Sequence, residues 1–200
     1  MDNTIDYYNK NADRFVQGTF SIDFSDTQDR FLTKLTKGSY ILDFGCGSGR
    51  DTKYFIAKGY IVDAIDGSEK LCKIASQHTG ITVRQMLFSE LNENEKYDGI
   101  WACSSILHLP KDELKSVLQK MAAALKPDGI IYTSFKYGKF EGERNGRYFT
   151  DFTRATFTTF MKDKDMKALQ IEECWFTSDV RSGRGDEKWL NLILRKSDLH

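Results

Sequence analysis

The sequence predicts an α/β protein, a mostly parallel sheet covered by helices on both faces. Three observations predict it. Between about residues 39 and 136 short apolar runs alternate with amphipathic stretches, which implies right-handed crossovers between parallel strands. The main runs are apolar throughout, as strands covered on both faces must be. The first run feeds a glycine-rich turn that leads straight into a helical pattern, an arrangement that places a ligand at the carboxyl edge of such a sheet.

The elements follow in order. Residues 1–37 read as two amphipathic helices, with Phe15, Phe31, Leu32 and Leu35 available to pack on the sheet. Ser39–Phe44 is a strand ending in Gly45-Cys46-Gly47-Ser48-Gly49, and residues 50–58 form a helix stopped by Gly59. Tyr60–Asp66 is the second strand. Ser68 caps a helix that places Leu71, Ile74 and Ala75 on one face and stops near Gly80. Ile81–Gln85 and Tyr97–Ala102 are the third and fourth strands. Pro110 opens a helix with Leu114, Val117, Leu118, Met121 and Leu125 at helical spacing. Lys126-Pro127-Asp128-Gly129 is a turn before a fifth strand, Gly129–Phe135. Residues 136–149 look too irregular for a helix or a strand. A helix over about 153–164 is followed by strands at 168–177 and 187–196, which pair as a hairpin on the sheet edge, with Gly183 and Gly185 in the turn. No linker interrupts the chain. The expectation is one domain, 1–200, with lid helices (1–37), a ligand-binding core (38–136), and an acceptor loop, helix and C-terminal hairpin (137–200).

Composition excludes several classes. The 200 residues are 40% hydrophobic and 29% charged, with 29 basic and 29 acidic side chains and a formal net charge of zero. A chain of this size buries a sizeable core without staples, and neutrality disfavours holding nucleic acid by bulk electrostatics. No run approaches the length of a membrane-spanning helix, and Met1-Asp2-Asn3-Thr4 is unlike a signal peptide. Cys46, Cys72, Cys103 and Cys174 form no CxxC pair, so they read as free thiols in a reducing cytoplasm, with no metal site expected.

The chemical signal is Asp43-Phe44-Gly45-Cys46-Gly47-Ser48-Gly49-Arg50. A dinucleotide loop has the spacing G-x-G-x-x-G and faces a pyrophosphate. Here the spacing is G-x-G-x-G, and a carboxylate stands two residues before the first glycine. That carboxylate would repel a diphosphate but suits a ligand with an ammonium and a sulfonium, S-adenosylmethionine. Asp66 ends the second strand, where a carboxylate accepts both hydroxyls of a ribose.

With these residues in place, the chain resembles the class I S-adenosylmethionine-dependent methyltransferases over roughly residues 5–136. The resemblance rests on Ile41–Gly49, Val62–Ser68, Tyr97–Ala102 and Leu125–Ile130. It implies a Rossmann-like class I methyltransferase fold, with a seven-stranded sheet whose last strand is antiparallel. It also implies that Gly45, Cys46, Gly47, Gly49 and Gly67 meet the cofactor, that Asp43 lies near its methionine end, and that Asp66 takes the ribose. Where many members place an acid against the adenine, this chain has Gln85-Met86-Leu87. Backbone amides of Met86 and Leu87, or Gln85, are the expected substitutes. Cys103 would offer its carbonyl to the ammonium, and Tyr8, on a helix similar to the family's lid, would cover the cofactor.

His108 is the only histidine near the inferred cleft, since His78 lies at a helix end and His200 is terminal. It is the candidate general base, if the acceptor needs one, with a turn or capping role as the alternative. Arg144, Arg147 and Tyr148 are the candidate acceptor contacts, because cations beside aromatic rings hold anionic or planar molecules. Lys136, Lys139, Arg181 and Arg184 could share their rim, and Arg50 the same face. Three functions fit: methyl transfer to a small molecule, methyl transfer to tRNA or another nucleic acid, and cofactor binding without catalysis. The lack of a separate recognition domain favours the first.

Overall fold

The computed structural model describes residues 2–181 and 183–197. Met1 and His200 therefore lie outside the described residues. Two helices, α1 (Asp2–Gln17) and α2 (Ser25–Leu32), precede a run of β1 (Tyr40–Phe44), α3 (Arg50–Ala57), β2 (Ile61–Asp66), α4 (Glu69–Thr79), β3 (Arg84–Gln85) and β4 (Tyr97–Ala102). Then come α5 (Lys111–Ala124), β5 (Leu125–Lys136), β6 (Glu141–Arg144), β7 (Arg147–Thr150), α6 (Arg154–Phe160), β8 (Leu169–Ser178) and β9 (Lys188–Lys196).

Seven strands form one sheet in the order β3-β2-β1-β4-β5-β9-β8. The first five are mutually parallel, and β9 runs antiparallel to both neighbours. The expected C-terminal hairpin is there, with β9 inserted beside β5 and β8 on the edge. The order reverses between β1 and β4, which is where open α/β sheets bind ligands.

Alternation along the central strands explains the two cores. Leu42, Phe44, Ile100, Ala102 and Ile131 face α5 and α6 in one apolar cluster. Their neighbours Ile41, Trp101, Ile130 and Tyr132 face α2 and α3 in another, where the Trp101 and Tyr132 rings stack at 4.0 Å. Every one of these side chains is buried. Helix α4 starts at Ser68, whose hydroxyl accepts the Leu71 amide, and ends at Gly80 with φ +77°, as its sequence indicates.

Three boundaries differ from the sequence reading. Strand β3 is reduced to two residues. The turn at Lys126–Gly129 lies inside β5 as an outward bulge, with Asp128 at φ +60° and the pairing to β4 shifting between Tyr97 and Gly99. The stretch after β5 is not irregular: β6 and β7 pair as a hairpin around Asn145-Gly146. Both residues have positive φ, +53° and +74°. Asn-Gly between paired strands is a strong hairpin signal, and it stands in the sequence.

Candidate functional site

A cleft opens at the carboxyl ends of β1, β2, β4 and β5, across the point where the strand order reverses. Its floor is the glycine loop after β1. The Gly45 and Cys46 amides both donate to the Ile65 carbonyl, which ties the loop to the end of β2. At Gly45, with φ +88°, a Cβ would lie 2.5 Å from Ser105 Cβ; at Gly47, with φ +56°, one would lie 3.0 Å from the Phe15 ring. Only glycine permits this closeness between loop, post-β4 segment and lid helix.

Asp66 stands beside the loop and accepts the Gly47 amide at 2.9 Å and the Ser68 amide at 2.8 Å. Burial pushes its carboxyl above the usual range, and these amides pull against that shift. Asp43 lies beneath the loop, 2% exposed, and accepts from the Thr52 hydroxyl at 2.6 Å. Burial and the charge of Asp51 push it up to about 8. Asp51 is itself a buried hub. It accepts from Gln28 Nε2 at 2.6 Å, from Trp101 Nε1 at 2.8 Å, and from Arg50 through a fork at 2.7 and 2.9 Å.

Helix α1 forms the roof. Phe15 covers Gly47, Ile5 covers Gly67, and the Asn9 carboxamide oxygen accepts from the Ser68 hydroxyl at 2.6 Å. Tyr8 meets His108 across the cleft with its hydroxyl 2.9 Å from Nε2. On the other side of the ring, Nδ1 lies 2.6 Å from the Tyr148 carbonyl. A carbonyl can only accept, so Nδ1 carries the proton and Nε2 accepts from Tyr8. Burial is the main reason that His108 is pushed down to about 4, and Arg147, Arg144 and Lys136 lower it further.

Of the residues expected at the site, Tyr8, Gly45, Cys46, Gly47, Asp66, Gly67, Met86, Leu87, Cys103, His108 and Arg147 line the cleft. Others do not. Gly49 faces α4, where a Cβ would sit 2.7 Å from Thr79, and it begins α3 at φ +77°. The Met86 amide is spent on the Asp66 carbonyl, and the Leu87 amide on Glu90 at 2.7 Å. Both residues line the cleft with apolar side chains, as does Phe88. Gln85 is exposed and donates to the Gly67 carbonyl. Arg144 is paired with Asp151 outside the cleft, and Tyr148 points toward Glu141. Arg50, Lys136, Arg181 and Arg184, expected on the same face or rim, also line the cleft, and the helix expected as a lid lies over the loop through Phe15. Phe88, Asp51, Asp179 and Trp189 were not expected there.

A methyltransferase-domain family model matches residues 41–129, the stretch that builds the floor of this cleft. The chain is 35% identical over 108 residues to the ubiquinone biosynthesis O-methyltransferase of Haemophilus ducreyi, a match covering 48% of this chain and 45% of that protein. Over just under half of its length, the chain is thus similar to methyltransferase domains. It spans less than half of the length of such curated relatives. Solved structures share this chain's fold nearly throughout, among them two methyltransferases. The Burkholderia thailandensis 1,6-didemethyltoxoflavin-N1-methyltransferase, solved with 1,6-didemethyltoxoflavin and S-adenosylhomocysteine, has a TM-score of 0.76 at 22% identity, covering 97% of this chain and 85% of that one. The Synechocystis PCC 6803 magnesium protoporphyrin IX methyltransferase, solved with S-adenosylhomocysteine, has a TM-score of 0.72 at 20% identity, covering 98% and 100%.

The donor set of the cleft fits S-adenosylmethionine: Asp66 could accept ribose hydroxyls, Met86–Phe88 form an apolar slot, and the Arg50–Asp51 pair lies beside Cys103. Cys46 is no nucleophile, since burial pushes its thiol well above its ordinary value. Among the described residues, no cluster of His, Cys, Asp or Glu could hold a metal ion, and no helix is long and apolar enough to cross a membrane.

Proposed function

We propose that this protein transfers the methyl group of S-adenosylmethionine to a small-molecule acceptor. The carrying observation is the closed roof. Helix α1 lies directly on the loop and on Gly67, and β7 meets it through the Tyr148 amide, which donates to Thr4 at 3.1 Å. An acceptor must therefore enter a cleft sealed on several sides, which suits a small molecule better than a folded RNA. S-adenosylmethionine, when bound, supplies an electrophilic methyl group on a sulfonium.

The protein's own residues do the rest by position and exclusion of water. Asp66 keeps lone pairs for the ribose hydroxyls beyond its two backbone amides. The Cys103 carbonyl and Asp51 offer acceptors to an ammonium, and Arg50 offers a cation to a carboxylate. Phe15 and Tyr8 close the cleft above them. His108 positions rather than abstracts: a ring held near 4 takes little proton from an acceptor at neutral pH. Its Nε2 instead fixes the Tyr8 hydroxyl.

Cofactor binding is tested by thermal shift. S-adenosylhomocysteine at 100 times its dissociation constant should stabilise the fold by about 2.7 kcal/mol. Asp66→Asn should remove most of that response. A full response in the variant would take the ribose assignment away from Asp66, and a response to NAD+ instead would overturn the proposed chemistry.

A further inference from the structure

The cations around the cleft are not equivalent. Lys136 is paired with Glu187, Arg181 with Asp179, and Arg50 with Asp51. Each of these charges is answered within the protein, and Arg184, which has no carboxylate among the described residues, is exposed to solvent. Arg147 is held differently. Its guanidinium lies 4.5 Å from the Tyr7 ring, 5.1 Å from Phe149 and 5.8 Å from Tyr8. Its Nη1 donates only a long bond, 3.4 Å, to the Tyr8 hydroxyl, and its Nε is buried with no acceptor. Among the described residues no carboxylate pairs with it.

A buried donor without a partner is an unfavourable state. An arginine clamped by aromatic faces is a fork that is fixed in place and only half used. The structure points this fork into the cleft beside the Tyr8–His108 pair. For the cofactor's own carboxylate the reading above assigns Arg50, whose bonds to Asp51 use Nε and Nη2 and whose guanidinium lies over the Phe24 ring.

We infer that the acceptor carries an oxyanion, a carboxylate or phosphate, and that Arg147 is its counter-ion. This rests on the small-molecule reading above. The anion would sit on the Nε–Nη2 edge of Arg147, with the aromatic walls of Tyr7, Tyr8 and Phe149 around the acceptor's body. Arg147 thereby selects the acceptor and anchors it relative to Tyr8.

Paired probes test the charge without requiring the natural acceptor. Protein saturated with S-adenosylhomocysteine is titrated calorimetrically with acetate and acetamide, benzoate and benzamide, and 1-naphthoate and 1-naphthamide, and separately with inorganic phosphate. At least one carboxylate or phosphate should bind below 10 mM, with the carboxylate about tenfold tighter than its amide, the size of a charge-assisted hydrogen bond. Arg147→Gln should erase the preference, Arg147→Lys should keep part of it, and Lys139→Gln should leave it unchanged. S-adenosylhomocysteine affinity and melting temperature, measured on each variant, report whether the fold and cofactor site survive. No anion binding below 10 mM, or a preference that persists in Arg147→Gln, overturns the inference. So does a tenfold loss of S-adenosylhomocysteine affinity in both Arg147 variants, which would assign the cation to the cofactor. Failure of the wild type to bind S-adenosylhomocysteine at all is a different result and overturns the parent reading.

Discussion

At His108, one proton's position follows from one neighbour: the Tyr148 carbonyl can only accept, so the ring donates there and receives from Tyr8. Burial holds the neutral form and pushes the ring down to about 4, below the value of about 6.5 expected in the unfolded chain. The unfolded state therefore takes up the proton first as the solution is acidified. This contribution is complete above about pH 6.5 and is lost as pH falls toward 4, with about 2 kcal/mol gone by pH 5. Buried Asp43 titrates with the opposite sign over this range, so the test is a difference: between pH 8 and pH 5, urea unfolding should show the wild type losing about 2 kcal/mol relative to His108→Gln. The same pH dependence in both would remove His108 as the cause. The sequence marked His108 as a residue of interest but not its role. Its partners stand 100 and 40 residues away in the chain, and no local pattern encodes such a meeting.

Helix α1 is the element that roofs the cleft, to which it contributes Ile5, Tyr8 and Phe15. Truncating Phe15 to alanine removes the ring that lies over Gly47 while leaving the loop's own geometry intact. Phe15→Ala should weaken S-adenosylhomocysteine binding about tenfold, a loss of the order expected for one buried aromatic contact. The loss should show mainly in the dissociation rate, measured by stopped-flow fluorescence. An unchanged rate would mean that the helix is scaffold and not lid. The sheet and helices between residues 39 and 136 were legible because period, caps and glycine stops agree at each step. The β6–β7 hairpin was missed although Asn145-Gly146 announces it. Its flanking strands carry Glu141, Glu143, Arg144 and Arg147, whose charges hide the alternation. In the folded chain two of those charges pair, Arg144 with Asp151 and Glu141 with Lys111.

For the whole molecule, a net charge of zero holds only in part at the cleft. Arg144 and Lys139 stand outside it, and Lys136, Arg181 and Arg50 are matched by carboxylates. That leaves Arg147 and Arg184 as the lining cations without one among the described residues. Such a rim makes few productive phosphate contacts, and affinity for nucleic acid depends on their number. Bulk tRNA should therefore give no gel shift at 50 mM salt. A shift that disappears at 200 mM would instead favour an RNA acceptor. Central to the account is methyl transfer from S-adenosylmethionine to a small molecule. Its most direct test is transfer from methyl-labelled S-adenosylmethionine into a cell extract separated into small-molecule, RNA, DNA and protein fractions. The account predicts label in the small-molecule fraction, abolished by Asp66→Asn. Label confined to a macromolecular fraction, or to none, would contradict it.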